Sequence, residues 1–427
     1  MILEAPVIIT LVIFFLTYGF IISEKINRTV VALIGASLVL FTNVINQEQA
    51  IKYIDFNTIG LLVGMMIIVG ITRRTGIFEY MAIKAAKLAK GDPLLIMITL
   101  SAVTALTSSL LDNVTTVLLI VPVTFSICDE LEIAPIPFLI SQIIASNIGG
   151  TATLIGDPPN IMIGSAAGLG FMDFLSNLII PILVTFIATM LVFKVVYRKQ
   201  LIATELSKSR IMNLHEVDAI KDYSLLKKSL IVLALTILGF IIHKILHLEP
   251  ATVALGGATL LMFITKEEPE DILLTVEWPT LFFFAGLFII VGALDHVGVI
   301  EWIAKKSIEA TGGALVSTSM LILWLSAIAS AFIDNIPFVA TMIPLIQKMG
   351  QIGGIENLRP FWWALSLGAC LGGNGTLIGA SANVIVAGLS EKNGVVITFR
   401  GFMKIAFPLM ILSIIISSVY IFFAYLV

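Results

Sequence analysis

The chain has 427 residues, of which 58% are hydrophobic and only 12% are charged, and its formal net charge is −3. Because soluble globular proteins carry about 25% charged residues, this composition excludes a soluble globular protein. Uncharged apolar runs close to the roughly 20 residues that cross a bilayer recur along the whole chain. The two cysteines, Cys128 and Cys370, have no metal or disulfide spacing. We therefore predict an all-α integral membrane protein with no cofactor and no nucleic-acid partner.

The first half of the chain divides at its helix breakers into apolar segments. They predict three helices, a re-entrant hairpin, a broken helix and a further crossing, at about 6–22, 29–45, 57–72, 93–128, 136–170 and 176–197. The hairpin is predicted because a polar tip at 108–113 divides one apolar run into two short arms. Residues 198–228 form the only long polar stretch, so we predict a cytoplasmic linker there.

The second half repeats the order of the first at a constant interval. Glycines, an acidic residue and the polar hairpin tip return at this interval: Gly64, Gly70, Gly76, Glu79, Asp112, Asn113 and Pro122 match Gly286, Gly292, Gly298, Glu301, Asp334, Asn335 and Pro344. At the broken helices the interval becomes slightly longer, so that Gly149 and Asn160 match Gly372 and Asn383. So many matches in the same order indicate an internal repeat rather than chance.

The repeat predicts an inverted topology. Each half would hold five transmembrane segments and one re-entrant hairpin, and because five is odd, the second half enters the membrane upside down. With the N-terminus outside, 19 of the 25 Lys and Arg residues fall on one side and 6 on the other, so the richer side is cytoplasmic. We predict a multi-pass protein of the plasma (inner) membrane with both termini extracytoplasmic.

Two irregular segments interrupt the most apolar parts of the chain, at 146–160 and 371–383. Their glycines, hydroxyls and prolines would unwind a helix, and irregular backbone at membrane depth survives only where protein buries it or where it lines a wet cavity. Broken segments at corresponding places in two halves indicate the binding site of a transporter. We therefore expect two broken helices at the membrane midplane.

Candidate ligands for an ion or solute cluster at the hairpin tips and the broken helices. They are carboxylates, amides, hydroxyls and glycines beside unwound carbonyls: Ser108, Ser109, Asp112, Asn113, Asn147, Gly149, Gly150, Thr151, Asp157, Asn160, Ser330, Asp334, Asn335, Gly372, Asn374, Thr376, Ser381 and Asn383. Hard cations such as sodium prefer oxygen ligands, and the amides, hydroxyls and unwound backbone carbonyls supply neutral ones. Two symmetric sodium positions are predicted, at Asp112, Asn113 and Gly149 and at Asp334, Asn335 and Gly372. The alternative is that the amides and hydroxyls only satisfy broken backbone.

Three aspartates, Asp112, Asp157 and Asp334, lie at predicted membrane depth without a nearby Lys or Arg in sequence. A buried carboxylate is costly unless it is neutralised or partnered, so each could exchange a proton or bind a cation. The alternative is that each caps the helix that follows it, and both roles can coexist. Asp157 has no acidic counterpart, because Ala380 lies at the matching position, which suggests that the two ion sites differ.

At these residues the chain resembles the ion transporter superfamily. The matching stretches are 111–116 and 334–338 at the hairpin tips and 148–160 and 368–383 at the broken helices. The closer resemblance is to the ArsB/NhaD branch, and within it to the prokaryotic relatives of the melanosomal P protein. The resemblance covers nearly the whole chain.

The resemblance implies a secondary transporter rather than an enzyme, with elevator-type alternating access. A scaffold at 1–92 and 229–312 would hold the interface of a homodimer, and a transport domain at 93–197 and 313–427 would move against it. The linker at 198–228 would join the halves. The expected partners are the lipid bilayer, the transported ion or solute and a second copy of the chain.

The hypothesis that follows is exchange of sodium against protons, with Asp112 and Asp334 as alternating carriers. It depends on the absence of a membrane-embedded Lys or Arg that could neutralise an anion. Two alternatives stay open. A cation or proton could be coupled to a small anion or neutral solute, such as arsenite, chloride or a carboxylate. Asp112 and Asp157 could instead form the dyad of an intramembrane aspartyl protease.

Overall fold

A computed structural model describes residues 4–23 and 25–426, and all regular elements in these residues are helical. The first half contains α1 (Ala5–Ser23), α2 (Arg28–Phe41), α3 (Gln47–Tyr53), α4 (Phe56–Arg73), α5 (Ile77–Leu88), α6 (Pro93–Leu110), α7 (Asn113–Leu131), α8 (Ile136–Thr151), α9 (Pro158–Ala167) and α10 (Phe171–Tyr197). The linker contains α11 (Glu205–Met212) and a 3-10 turn at Glu216–Ala219. The second half contains α12 (Tyr223–Ile242), α13 (Pro250–Thr265), α14 (Pro269–Leu273), α15 (Trp278–His296), α16 (Val299–Thr311), α17 (Leu315–Phe332), α18 (Asn335–Gly353), α19 (Arg359–Gly372), α20 (Ser381–Lys392) and α21 (Phe399–Ile421). A π-helical turn at Phe422–Leu426 follows.

Helix boundaries recur between the halves at the interval found in the sequence. Helices α6 and α17 begin and end at that interval, and so do α7 and α18. The second helix is shorter than the predicted 29–45, because α2 ends at Phe41 and a separate short helix, α3, follows. Asn46 caps α3 by accepting a hydrogen bond from Gln49 N at 2.9 Å.

The linker also ends earlier than the predicted residue 228. Helix α12 begins at Tyr223 rather than near residue 229, because the side chain of Asp222 caps its first turn. Asp222 Oδ1 accepts hydrogen bonds from the backbone N–H groups of Ser224 and Leu225 at 2.8 and 2.9 Å. Residues 223–228, which were assigned to the linker, therefore belong to the helix.

Two helix pairs cross between the halves, α2 with α15 and α4 with α13. Glycines allow both pairs to approach closely. A Cβ atom at Gly64 of α4 would lie 2.5 Å from the carbonyl carbon of Ala254, and one at Gly286 of α15 would lie 2.9 Å from that of Ala32. These glycines and alanines occupy corresponding positions of the repeat, so each half supplies one glycine to the same kind of contact.

Each hairpin packs against the broken helix of its own half, α6 against α8 and α17 against α19. Glycine again sets the distance. A Cβ atom at Gly149 would lie 2.1 Å from the carbonyl oxygen of Ala105, and one at Gly372 would lie 2.6 Å from that of Ala327. The hairpin arms therefore lie directly on the backbone of the broken helices, which brings the hairpin tips to the unwound segments.

The linker is attached to the first half by charged contacts. Lys87 of α5 donates to Glu216 Oε2 at 2.6 Å, and Arg210 of α11 is paired with Glu130 and Glu132 at the end of α7. The Lys87 ammonium lowers the pKa of Glu216 below its ordinary value. The backbone N–H of Lys221 also donates to a carbonyl beside α5. The linker therefore lies across α5 and the base of the first hairpin.

Among the described residues, nine helices are long and apolar enough to cross a membrane. They include three hairpin arms, α6, α7 and α17, and six of the predicted crossings. Helices α2, α8 and α13 are apolar but shorter. This supports a multi-pass membrane protein, whereas the number and direction of the crossings stay a prediction.

Candidate ion- and solute-binding site

Both broken helices unwind where predicted, between α8 and α9 and between α19 and α20. A buried asparagine side chain holds each unwound segment. Asn160 Nδ2 donates to the carbonyl oxygens of Thr151 and Thr153 at 3.0 and 2.9 Å. At the corresponding position, Asn383 Nδ2 donates to two carbonyls of the second segment at 2.8 and 2.9 Å. Both amides therefore satisfy broken backbone, which was the alternative role considered for them.

Three of the candidate hydroxyls fasten hairpins to broken helices. Ser108 donates to the carbonyl of Ser146 at 2.7 Å, and Ser330 donates to that of Ala369 at 2.6 Å. Thr376 donates to a carbonyl near the end of α17 at 2.5 Å. These hydroxyls are buried and already have partners, so their contacts are structural.

Other candidates lie away from the polar centre. Ser109 and Gly149 line an apolar cavity of about 250 Å³ instead. The carbonyls of Gly149 and Gly372 accept hydrogen bonds from backbone N–H groups at 3.0 and 2.8 Å. Gly150 packs against backbone, and Thr151 donates to a carbonyl of its own helix. The contacts of Gly149 and Gly372 are packing contacts, so the structure gives no support to their predicted role in sodium coordination.

A chain of buried amides joins the first hairpin tip to the second broken helix. Asn113 Nδ2 donates to Asn147 Oδ1 at 3.1 Å. Asn147 Nδ2 then donates to Asn374 Oδ1 and to Asn383 Oδ1, both at 2.9 Å. Asn374 Nδ2 has no hydrogen-bond partner in the described part of the chain. Four of the six predicted amides, from both repeats, therefore form one network.

Two hairpin tips and two broken helices, together with residues of α2, α4 and α15, line a cavity of about 40 Å³ that contains several polar side chains, called here the small polar cavity. Five of the predicted residues line it: Asp112, Asn113, Asp157, Asn335 and Ser381. A cavity needs about 10–15 Å³ to hold a water molecule, so this cavity has room for water or for one small ion. The sequence prediction that these residues converge is consistent with this geometry.

Asp157 is the most enclosed carboxylate of the cavity, with an exposed fraction of 1%. It precedes α9, but its side chain makes no capping hydrogen bond there. Its contacts from Asn335 Nδ2 are long, 3.4 Å to each carboxylate oxygen. No Lys or Arg pairs with it among the described residues. Capping, which was considered for Asp157, is therefore not its role.

Asp112 and Asp334 do cap the second arms of their hairpins. Asp112 accepts hydrogen bonds from the backbone N–H of Thr115 at 2.7 Å and from its hydroxyl. Asp334 accepts one from the backbone N–H of Ile336 at 3.0 Å. Both carboxylates also line cavities, Asp112 the small polar one and Asp334 a neighbouring one of about 320 Å³. Asp112 and Asp334 therefore each cap a helix and also line a cavity.

Arg28 was missed as a site residue, and the prediction of a site without Lys or Arg is wrong. Its Nη1 donates to Asp334 Oδ2 at 2.8 Å and to Ser381 Oγ at 2.7 Å. Ser381 in turn donates to Asp334 Oδ2 at 2.9 Å. Arg28 lines both cavities. A cationic side chain therefore lies between the cavities, and the electrostatic argument against an anion loses its basis.

Glu277 is a second residue that the sequence did not identify. It precedes α15 and lines the small polar cavity together with Asp112. Thr280 donates to its carboxylate at 3.2 Å. Its counterpart in the first half, at the interval of the repeat, is Asp55. An acidic residue that immediately precedes α4 and α15, at corresponding positions of the two halves, could therefore have identified it.

Metal coordination by the usual side chains is not supported in the described residues. They contain no group of three or more His, Cys, Asp or Glu side chains that could hold a metal ion. A sodium ion in the small cavity would therefore need the amide oxygens of Asn113 and Asn335 in addition to carboxylates.

Comparison with known proteins identifies relatives of the whole chain. The family profile described as "CitMHS: Citrate transporter" matches residues 18–368. The chain is 46% identical over 426 residues to the uncharacterized transporter Rv2684 of Mycobacterium tuberculosis, covering 98% of this chain and 99% of that protein. It is 34% identical over 508 residues to the P protein of Sus scrofa, covering all of this chain and 60% of that longer protein. The predicted similarity to the P protein is thus confirmed.

A solved structure shares the fold at low sequence identity. The YdaH transporter of Alcanivorax borkumensis superimposes with a TM-score of 0.60 at 13% identity, covering 98% of each chain. This likeness concerns the fold alone. By family and fold the chain is a secondary membrane transporter, and it belongs to the CitMHS citrate transporter family.

Proposed function

We propose that the protein exchanges sodium ions against protons through the small polar cavity, with Asp157 as the principal carrier. The observation that carries the proposal is the isolation of this carboxylate. It is buried at the meeting point of the two repeats, and its described contacts are long ones from the Asn335 amide and one from the Cys370 thiol, with no cationic side chain paired to it. A carboxylate in such a place is stable only when a proton or a cation neutralises it.

The charge of the whole site supports a cation. Four acidic side chains, Asp112, Asp157, Asp334 and Glu277, line the two neighbouring cavities, and Arg28 can balance only one of them. The remaining negative charge attracts protons or sodium ions from either side. Asp112 and Asp334 keep the carrier role assigned from the sequence, in addition to their capping role.

Elevator-type movement is part of this proposal. The halves would be inserted in opposite directions, with the hairpins and broken helices moving against a scaffold of α1, α2, α4, α12, α13 and α15. Helix α2 of the first half packs on α15 of the second, and α4 of the first half packs on α13 of the second. This packing between the halves supports such a scaffold. We also propose the inner membrane, extracytoplasmic termini, a homodimer and membership of the ArsB/NhaD branch.

Cation-coupled transport of a small anion is the second candidate. The observation that favours it is Arg28, because a guanidinium has five N–H donors and only Nη1 is used in the described structure. Neutralisation of Asp334 would free Arg28 to bind a carboxylate. The family description, which refers to citrate, points to the same class of substrate.

The protease alternative is much weaker. Asp112 and Asp157 do line one cavity, but at about 40 Å³ it has no room for an extended peptide. Asp112 is also engaged in capping α7. The relatives are named as transporters, which agrees with transport rather than peptide cleavage.

Purified protein in liposomes tests the proposal. An inward sodium gradient should drive protons out, as followed with an internal pH dye, and the D157N variant should lose this movement. D129N is the matched control, because Asp129 is exposed at the end of α7 and lies outside both cavities. The control should exchange at the rate of the parent.

Addition of citrate separates the two candidates. Sodium-dependent proton movement without citrate supports the exchanger. Movement that requires citrate, together with uptake of labelled citrate, supports the anion candidate instead. If D157N exchanges as fast as the parent, Asp157 is not the carrier and the proposal is wrong.

A further inference from the structure

The ion pair between Arg28 and Asp334 joins two parts of the proposed transporter that must separate during transport. Arg28 begins scaffold helix α2, whereas Asp334 and Ser381 lie at the starts of α18 and α20 in the transport domain. We infer that Arg28 is a coupling residue, which holds the transport domain at its cytoplasmic position until a proton or cation neutralises Asp334. The inference rests on the proposed function. It makes movement of the transport domain depend on neutralisation of Asp334.

The contacts of Arg28 are divided between the two parts. Its guanidinium carbon lies 5.0 Å from the ring centre of Phe283 on α15, so stacking keeps the side chain on the scaffold. Its hydrogen bonds in the described structure go to Asp334 and Ser381, at 2.8 and 2.7 Å. Movement of the transport domain would therefore break the polar contacts and leave the stacking contact in place.

Protons and ions can reach this pair from one side. It lines the cavity of about 320 Å³, which Asn27 and Val384 also line. The side chain of Arg28 is 33% exposed and that of Asp334 is 13% exposed. A proton or a sodium ion arriving through this cavity would therefore compete with Arg28 for the carboxylate.

The other ionisable groups that face Arg28 are acidic. Asp112, Asp157 and Glu277 line the small cavity with it, and Glu277 belongs to α15, against which α2 packs. Helix α1, which also packs on α2, turns the uncharged Tyr18 toward α18. Among the described residues that line the two cavities, Arg28 is thus the only cation. Its loss would leave Asp334 without a cationic neighbour among these residues.

The internal repeat indicates that the pair exists in one position of the transport domain only. In an inverted repeat, the two halves exchange roles when the transport domain moves outward. Asp112, which corresponds to Asp334, would then approach the residue that corresponds to Arg28. That counterpart is Pro250, the first residue of α13, which has no charge. The two sides already differ in exposure, because Val384 is 41% exposed whereas its counterpart Ile161 is 3% exposed.

This asymmetry couples movement to loading. If Asp334 stays ionised, outward movement separates it from Arg28 and leaves an unpaired carboxylate in a poorly solvated place, which is strongly unfavourable. If Asp334 is neutralised first, no charges are separated. An empty carrier is therefore held on the cytoplasmic side, and a loaded one can move.

Cysteine labelling at position 384 tests the inference directly. Both native cysteines are buried, so a V384C background should report mainly on this position of the cytoplasmic cavity. In inside-out vesicles at high pH without sodium, a membrane-impermeant maleimide should label V384C quickly. Sodium or a lower pH should slow the labelling at least threefold, because the transport domain then leaves the cytoplasmic position.

The R28Q substitution in V384C should remove most of this response, and labelling should be slow under both conditions. K25Q is the matched control, because Lys25 is an exposed cation three residues away, outside both cavities, and it should label like the parent. Y18F removes a neutral hydrogen bond between α1 and α18 and should leave the dependence on sodium and pH intact. R28K keeps the charge and should retain part of the response.

A double substitution shows whether Arg28 acts through Asp334. D334N alone should label slowly under all conditions, and R28Q added to D334N should change nothing further. The inference is overturned if R28Q responds to sodium and pH like the parent, if R28Q has its full effect in D334N, or if the parent shows no response. If R28Q does not fold, D334N alone carries the test.

Labelling reports position and needs no substrate flux, so it separates this inference from the proposed function. If V384C responds to sodium or pH as expected but liposomes show no sodium–proton exchange, Arg28 is a coupling residue of a different transport reaction. If exchange occurs but R28Q leaves the response unchanged, the proposed function stands and the inference about Arg28 is wrong.

Discussion

Asn147 of the first broken helix donates a hydrogen bond to Asn383 of the second at 2.9 Å, and both side chains are fully buried. Asn383 in turn holds the unwound backbone of its own segment. The two broken helices are therefore joined by side chains rather than by packing alone. Residues from both repeats must be in place before the cavity has its shape.

Replacement of Asn147 by alanine should destabilise the protein. It removes three buried hydrogen bonds, and each buried group left without a partner costs about 1–3 kcal/mol. Thermal unfolding in detergent measures the effect as a lower midpoint. The control N393A removes an exposed amide at the end of α20, and its midpoint should stay close to that of the parent. Equal midpoints for both variants would contradict the structural role of the network.

Substitution of the hairpin aspartates should separate capping from transport. Asparagine caps helices about as well as aspartate does, so D112N should unfold at nearly the temperature of the parent. D334N keeps its cap but loses the ion pair with Arg28, so it should unfold at a somewhat lower temperature. Each should lose sodium-driven proton movement in liposomes, because neither amide can carry a proton. If both variants exchange at the parental rate, these two carboxylates only cap helices.

Gly149→Ala should disrupt the contact between the first hairpin and its broken helix. The added Cβ atom would lie 2.1 Å from the carbonyl oxygen of Ala105, which cannot move without displacing α6. Such overpacking costs typically about 1–3 kcal/mol, and a backbone clash of this kind belongs at or above the upper end. G388A in α20 is the matched control, since nothing lies within 4 Å of its added Cβ atom. A thermal midpoint of G149A equal to that of G388A would contradict this packing.

The linker contact should weaken in acid. Because the pKa of Glu216 is lowered in the folded protein, its contact with Lys87 is stabilising above the ordinary glutamate pKa of about 4.3. The stabilisation is lost as the pH falls through the lower pKa of the folded protein. Hydrogen–deuterium exchange of 205–219, corrected for intrinsic rates, should therefore rise in strongly acidic solution.

The E216Q variant should show faster exchange at neutral pH and no acid transition from this contact. E205Q is its control, because Glu205 pairs with Lys208 within one exposed helix and does not attach the linker to α5. An unchanged acid transition in E216Q would mean that another group controls attachment of the linker.

Much of the architecture was predictable because helix breakers and the repeat are local features of the sequence. The start of the first hairpin at residue 93, the unwinding beside Pro158 and the convergence of Asp112, Asp157 and Asn335 on one cavity are consistent with expectation. The network of amides was only half predicted. The residues were named, but their partners depend on how the two halves pack, which the sequence does not encode locally.

Arg28 escaped prediction because the length of α2 was overestimated. A helix at 29–45 would nearly cross the bilayer and leave Arg28 at the membrane surface. The observed helix Arg28–Phe41 has 14 residues, so it is about 21 Å long, well short of the roughly 30 Å hydrocarbon core. Arg28 can therefore lie deeper than its sequence neighbours suggest. Asp334 and Ser381, which bind it, lie in the other half of the chain.

The packing of α2 and α4 on helices of the other half also has a consequence for biosynthesis. When the first half leaves the ribosome, α2 and α4 are inserted without α15 and α13, on which they will pack. Glycine faces such as that at Gly64 stay in contact with lipid until the second half arrives. We therefore expect that neither half accumulates when it is produced alone, and that the two halves, cut within the linker, assemble when produced in the same cell.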